Sequence, residues 1–272
     1  MRPRKGKSTV SFVGSGQVAT TLAYLLRNAG ISIRGYHNKS QKRSKIFESV
    51  SNAEWLSLEE IAEEKNIIII AIPDDALHVV CKKIKSEAMV IHTSGAVSID
   101  VLKQTSLSTG VLYPLRSFTY SLPDSTENIP FFIEANSSKN LSKIKEIAEF
   151  ISPDVHVADS DKRLHLHLAA VFAHNFTNHI LHIAEKIMQK NGLAFSQILP
   201  LLLPYFKLLK TIPPSHLQTG PALREDKKTQ KRHKDILRDS PEWRELYKLI
   251  SEDIQRLKIK KPTRDQLTKF RK

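Results

Sequence analysis

The sequence contains a single cysteine, Cys81, in 272 residues. An internal disulfide framework is therefore excluded, and a reducing compartment is the expectation. It also lacks any apolar run near the roughly 20 residues that a membrane-spanning helix needs. The run Ile67-Ile68-Ile69-Ile70-Ala71-Ile72 is far shorter and reads as a buried strand. Residues 1–7 are basic, but a strand pattern follows them rather than the apolar stretch of a signal peptide. The expectation is a cytoplasmic protein with no membrane partner.

Acidic residues are scarce at the two ends. The net charge is +14, of which residues 1–7 supply +4 and residues 258–272 supply +6. The intervening body is close to balanced. Basic tails can bind phosphate polymers, but no nucleic-acid motif accompanies these. Solvated termini, without a nucleic-acid partner, are expected. With 40% hydrophobic residues, the body can bury one large core or two modest ones.

Short apolar runs alternate with helical patterns up to about residue 158. Strands are read at 9–13, 31–36, 66–72, 89–93, 110–115, 131–134 and 155–157. Helices or helical turns are read at 18–28, 58–64 (capped by Ser57), 74–86, 99–104 and 139–150. This alternation predicts an α/β domain with a parallel sheet covered on both faces. Strand signals then stop. Residues 162–189 read as one long helix, and further helices follow at 195–209, 224–237 and 241–257, with a break at Pro213-Pro214. The reading is a dinucleotide-binding domain over residues 1–158 and an all-helical domain over 159–272.

The sharpest motif lies just after the first strand. Val13-Gly14-Ser15-Gly16-Gln17-Val18-Ala19 matches G-x-G-x-x-A as a strand gives way to a helix. Gly14 permits a tight turn, Gly16 lets backbone approach a pyrophosphate, and Ala19 allows close helix–strand packing. Phosphate would sit on the N–H groups of the helix N-terminus. A tight turn without ligand is the alternative. The second strand then lacks the acid that an NAD-selective site uses for the ribose 2′-hydroxyl. Asn38, Lys39, Ser40 and Arg43 stand there instead, with Lys42 nearby, and they suit a 2′-phosphate. A solvated basic loop is the other reading of that segment. NADP(H) is therefore the expected cofactor, with NAD(H) possible. Ile72, Pro73 and Asp74 close the third long strand, where backbone lies beside such a cofactor, although Asp74 and Asp75 also suit simple helix capping.

Four further runs are His92-Thr93-Ser94-Gly95-Ala96, Tyr113-Pro114-Leu115-Arg116-Ser117-Phe118, Leu166-His167-Leu168-Ala169-Ala170-Val171-Phe172-Ala173-His174-Asn175-Phe176 and Thr219-Gly220-Pro221-Ala222-Leu223-Arg224. Together they resemble the bacterial Rossmann-like proteins with a C-terminal DUF2520 domain, a group associated with NADP oxidoreductase activity. That group in turn is similar to 6-phosphogluconate dehydrogenase-like and pyrroline-5-carboxylate reductase-like proteins. The resemblance covers nearly the whole chain. It implies a Rossmann domain followed by a helical domain that closes over the nicotinamide, a homodimer through the helical domain, and a small-molecule substrate it does not name. Arg116 and Glu225 depart from the Gln and Gly usual in that group.

On a helical projection of residues 162–189, Leu166, Ala169, Ala170, Ala173, Phe176, Ile180, Leu181, Ile183, Ala184 and Ile187 cover more than a third of the circumference. The helix is expected to be largely buried. His167, His174 and Asn178 form a polar stripe, with Asn175 on its flank, that meets either solvent or a cleft; the resemblance favours the cleft. His165 and His167 point to opposite sides, and no carboxylate completes a metal set, so no metal is expected. His167 is the candidate proton donor, since imidazole titrates near neutrality. Asn175 would orient the substrate. Ser94 follows the strand at 89–93 and is the third candidate catalytic residue, with a plain turn role as the alternative. Arg116 and Asn178 are candidate substrate contacts. No lysine occupies the stripe's centre. Hydride transfer to or from a small carbonyl, imine or alcohol is the leading reading; a nucleotide-binding sensor without turnover is the alternative. Deleting residues 1–6 and 262–272 is expected to leave the fold and nucleotide affinity nearly unchanged. Circular dichroism melting with an NADPH titration checks this, and loss of soluble protein would show that the C-terminal segment is docked.

Overall fold

The computed structural model describes residues 9–40, 44–118 and 129–256. The chain order begins β1 (Thr9–Val13), α1 (Gln17–Asn28), β2 (Ser32–His37), α2 (Lys45–Ser51), β3 (Glu54–Trp55), α3 (Leu58–Ala62), β4 (Ile67–Ile70), α4 (Asp74–Cys81) and β5 (Met89–His92). It continues through β6 (Thr109–Pro114), β7 (Phe131–Ala135), α5 (Ser138–Ile151) and β8 (Val155–Val157). The described strands form one eight-stranded sheet in the order β3-β2-β1-β4-β5-β6-β7-β8. Every residue of β4 is buried, which explains why its four isoleucines show no alternation. β1 pairs with β2 on one side and β4 on the other, both parallel. The winding direction therefore reverses at β1, the place where open α/β sheets bind ligands.

Local chemistry explains the element ends. Ser57, read as the cap, starts α3 and forms a reciprocal capping box with Glu60. Ser44 caps α2 by accepting from the Phe47 N–H, and α2 stops at Asn52 in the left-handed region (φ 57°). Neither α2 nor β3 was legible as a separate element, because both are short and weakly patterned. The sheet is not wholly parallel: β6 and β7 pair antiparallel.

The helical part comprises α6 (Ser160–Ala170), a π-helical stretch (Val171–Phe176), α7 (Thr177–Gln189), α8 (Leu199–Leu208), α9 (Pro214–Leu217), α10 (Lys227–Ile236) and α11 (Pro241–Arg256). The single long helix read over 162–189 thus contains a wider turn at its middle. A projection at 100° per residue loses phase there, so His167 cannot be placed on one stripe with His174 and Asn178. That helix is also not largely buried. Of the apolar set named above only Ile183 is buried, while Leu168, Phe172 and Phe176 are each at least half exposed. Periodicity identified an apolar face but not what covers it. Glu225 has φ 54°, the left-handed region where glycine is favoured, so the side chain at this position costs about 1–2 kcal/mol.

The chain divides into two compact units, residues 1–175 and 176–272. Strand signals end at β8, as the sequence indicated, yet α6 remains with the sheet. Arg163 is the reason. Its side chain is fully buried and donates from Nε to the Ser94 carbonyl at 3.1 Å, from Nη2 to the Val97 carbonyl and Ser160 Oγ, and from Nη1 to the Glu134 carboxylate on β7. Ser160 Oγ also donates to Glu134, at 2.9 Å. Replacing Arg163 with Met would leave a nearly buried carboxylate without its cation. Urea unfolding is expected to show a loss of about 3–5 kcal/mol; a loss within about 1 kcal/mol would mean that the pair behaves as a surface ion pair.

Candidate functional site

The glycine-rich turn links β1 to α1. Gly14 has φ +112°, and its N–H donates to the His37 carbonyl at 2.7 Å. A Cβ there would lie 2.1 Å from the Ala71 carbonyl oxygen, so this glycine is required by the protein's own packing. Gly16 differs. A Cβ on Gly16 would meet nothing within 4 Å. Gly16 is also the N-cap of α1, and no side chain caps that helix. The first-turn N–H groups, the positive end of the helix dipole and open space therefore coincide, as an anion site requires.

A cavity of about 460 Å³ lies at this point, lined by Gly16, Gln17, Val18, Ala71, Ile72, Pro73, Thr93, Arg116 and Phe118. It sits at the carboxyl ends of β1, β4 and β5, and its volume is in the range of small-molecule sites. Pro73 is the N-cap of α4 and, like Gly16, makes no side-chain cap. Asp74 and Asp75 occupy the first turn of α4, where they favour the helix dipole. At the end of β2, Asn38 donates from Nδ2 to Ser15 Oγ at 3.1 Å, and Ser40 donates to Asn38 Oδ1 at 3.1 Å. Ser15, Asn38 and Ser40 are thus gathered beside the glycine turn, with Lys39 exposed between them. Arg43 lies outside the described residues. The backbone N–H groups at the start of α1 and this polar, cationic rim together fit a dinucleotide with an extra phosphate.

The loop after β5 forms a second cluster. Ser94 is buried and its hydroxyl accepts from the Ala96 and Val97 N–H groups at 3.1 and 3.0 Å. Its own N–H donates to His92 Nδ1 at 3.1 Å, and its carbonyl is held by Arg163. Burial, with the Arg163 guanidinium adding to it, pushes the His92 imidazole down to about 3, so it is neutral. His167, half-buried, lies one helical turn beyond Arg163, and its Nδ1 is 3.2 Å from Tyr113 Oη. Burial and the nearby Asp74 carboxylate raise the Tyr113 phenol above its ordinary value. Asn175 is exposed at the end of the sheet-containing unit; Asn178 is exposed in the helical one. Arg116, read as a substrate contact, lines the cavity beside Gly16.

Sequence reasoning named the turn, the Pro73 loop, Ser94 and His167. It missed Thr93 and Phe118 on the cavity wall, and it assigned no role to Tyr113, Arg163, Glu134 or His92. The Tyr113 run was visible as a motif, but nothing local shows that a tyrosine at a strand end meets a histidine 54 residues later.

Residues 129–254 match the family described as a domain of unknown function, DUF2520, and residues 9–97 match the family described as NADP oxidoreductase, coenzyme F420-dependent. A crystal structure from Bacteroides fragilis, assigned as an NADP oxidoreductase, is 31% identical, with 92% of this chain and 98% of that one covered and a TM-score of 0.82. The chain belongs to this DUF2520-containing NADP oxidoreductase family. More distant structures share the fold. An imine reductase from Myxococcus stipitatus in complex with NADP+ is 13% identical, covers 97% of this chain and all of that one, and has a TM-score of 0.65. A Plasmodium falciparum pyrroline carboxylate reductase with NADP bound is 16% identical, covers 93% of this chain and all of that one, and has a TM-score of 0.53. No curated protein sequence matches the chain significantly. No helix among the described residues is long and apolar enough to cross a membrane.

The two glycines of this oxidoreductase separate packing from ligand binding. Gly14→Ala is expected to lower the melting temperature, because its Cβ collides with backbone. Gly16→Ala is expected to keep the wild-type melting temperature while losing about tenfold or more in NADPH affinity, some 1.4 kcal/mol. Thermal melting and NADPH titration of both variants check this; unchanged affinity in Gly16→Ala would place the phosphates elsewhere.

Proposed function

We propose that this oxidoreductase reduces a small carbonyl or imine compound with NADPH and acts as a homodimer through its helical unit. The observation that carries the reading is the cavity at the sheet's reversal point, lined by Gly16 and Gln17 at an uncapped helix N-terminus and by Pro73, Thr93 and Arg116. Gly14, Ser15, Gly16, Gln17 and Val18 would hold the pyrophosphate, and Ile72, Pro73 and Asp74 would flank the nicotinamide end. Asn38, Lys39 and Ser40 would face the 2′-phosphate. The cofactor supplies hydride chemistry; this chain binds, orients and delivers a proton. His167 is assigned as proton donor. Ser94, Asn175 and Arg116 are assigned to orienting the reacting groups. The C=N substrates of the imine and pyrroline carboxylate reductases that share this fold support an imine as the first candidate.

Apolar side chains exposed on α7 and α8, among them Ile180 (40%), Leu201 (70%), Leu203 (58%) and Phe206 (44%), support the homodimer. Solvent contact of this extent on neighbouring helices is unusual for a monomer.

Two charge-assisted contacts to the 2′-phosphate, at about 1.5–3 kcal/mol each, should favour NADPH over NADH by tenfold or more. Fluorescence titration of both nucleotides checks this. NADPH oxidation is then followed with 1-pyrroline and a panel of small ketones. Equal affinities would overturn the 2′-phosphate assignment, and absence of turnover across the panel would favour a sensor without catalysis.

A further inference from the structure

We propose that Tyr113 positions His167 for catalysis by holding its Nδ1, so that Nε2 is the nitrogen that exchanges a proton with substrate. This rests on the reductase reading above and adds a residue to it.

Three independent constraints converge on the pair. The first is the contact itself: Tyr113 Oη and His167 Nδ1 are 3.2 Å apart, and the rings meet edge to face with centroids at 6.1 Å and an interplanar angle of 72°. The second is the loop laid over them. A Cβ on Gly95 would fall 2.7 Å from Tyr113 Cζ and 2.9 Å from His167 Nδ1, so only glycine lets the loop close on the pair without displacing it. The third is Arg163. It stands at i−4 from His167, on the same helix face, and its buried guanidinium fixes both that face and the Ser94 carbonyl one residue before Gly95. Residues next to the cavity's lining also reach the pair. Tyr113 feels the Asp74 carboxylate, which follows the cavity residue Pro73, and Gly95 follows two residues after the cavity residue Thr93.

The chemistry requires such a pair. When the carbon of a C=O or C=N bond accepts a hydride, its oxygen or nitrogen must take up a proton. His167 in its imidazolium form gives the Nε2 proton: the Nε2–H bond breaks and an O–H or N–H bond forms on the product. The neutral imidazole keeps its Nδ1 proton and donates it to Tyr113 Oη. A phenol accepts this bond in both charge states of the histidine and does not ionise, consistent with a hydroxyl whose proton is held more firmly by burial and by Asp74. Solvent can restore the imidazolium because His167 is only half-buried. The charged groups that the Tyr113 phenol feels are Asp74 on α4 and Arg163 on α6. No carboxylate is hydrogen-bonded to His167 itself among the described contacts, so the phenol fills the orienting role a carboxylate has in many such sites.

The test is Tyr113→Phe, which keeps the ring and removes the hydroxyl. Nitrogen-15 NMR of His167 in the full chain gives a reading that needs no substrate. In its neutral form, wild-type His167 is expected to hold its proton on Nδ1, the minor tautomer of free histidine, and Tyr113→Phe should shift it to Nε2. With NADPH and 1-pyrroline, or whichever panel compound turns over, kcat should fall by about 10–100-fold with KM and NADPH affinity nearly unchanged, as for other partners that orient a histidine. The change of tautomer is a reading that a purely structural role would not move. Wild-type His167 protonated on Nε2, or a tautomer and kcat indifferent to the hydroxyl, would overturn the proposal. Should no compound turn over, the reductase reading fails, and the wild-type tautomer by itself still decides whether Tyr113 holds Nδ1.

Discussion

The guanidinium of Arg163 is the interaction on which the candidate site depends. An ion of this kind is expensive to bury unless its donors are met, and here they reach two loop carbonyls, a serine and a carboxylate. The bonds join three segments far apart in sequence: the loop after β5, the strand β7 and the first turn of α6. Planarity makes the join directional. Once the fork is seated, the helix leaving it has one rotation, and the residue one turn later is aimed at the end of β6. His167 occupies that position. The placement of its ring thus follows from a residue that is not part of the cavity lining.

The nucleotide side rests on a different constraint. Gly14 and Gly16 stand two residues apart and do different work. The first is demanded by the Ala71 carbonyl of the neighbouring strand and by a positive φ. The second is demanded by nothing in the protein, and its open face over an uncapped helix start is the physical sign of a ligand. The sheet places this turn beside the Pro73 loop because β4 sits next to β1 on the side away from β2, leaving a gap where the winding reverses. Family membership and the shared fold of distant NADP-binding reductases agree with what the turn can hold.

The helical unit poses the opposite physical situation. Its helices carry clear amphipathic patterns, yet the apolar faces remain in contact with solvent in the single chain. A hydrophobic stripe records that something must cover it, not whether the cover is the same chain. Reading 162–189 as buried confused these two, and the π-helical turn at Val171–Phe176 then removed the phase on which the polar stripe had been drawn. His167, Asn175 and Asn178 were all drawn on that projection; of the three, His167 precedes the wider turn and lies against Tyr113.

By itself the sequence determined what is local. It set the strand–helix alternation, the capping at Ser57, the glycine turn between β1 and α1, the missing acid after β2 and the point where strands end. Each is written within a few residues, in periodicity, backbone preference or side-chain chemistry. Tertiary structure alone decided that β7 runs antiparallel, that α6 belongs to the sheet-containing unit, that Arg163 binds Glu134 29 residues earlier, and that Tyr113 meets His167. These contacts pair groups whose separation in the chain carries no pattern. They form only when the sheet order brings strand ends together, and a buried charge or hydroxyl then takes whichever partner the packing leaves within reach.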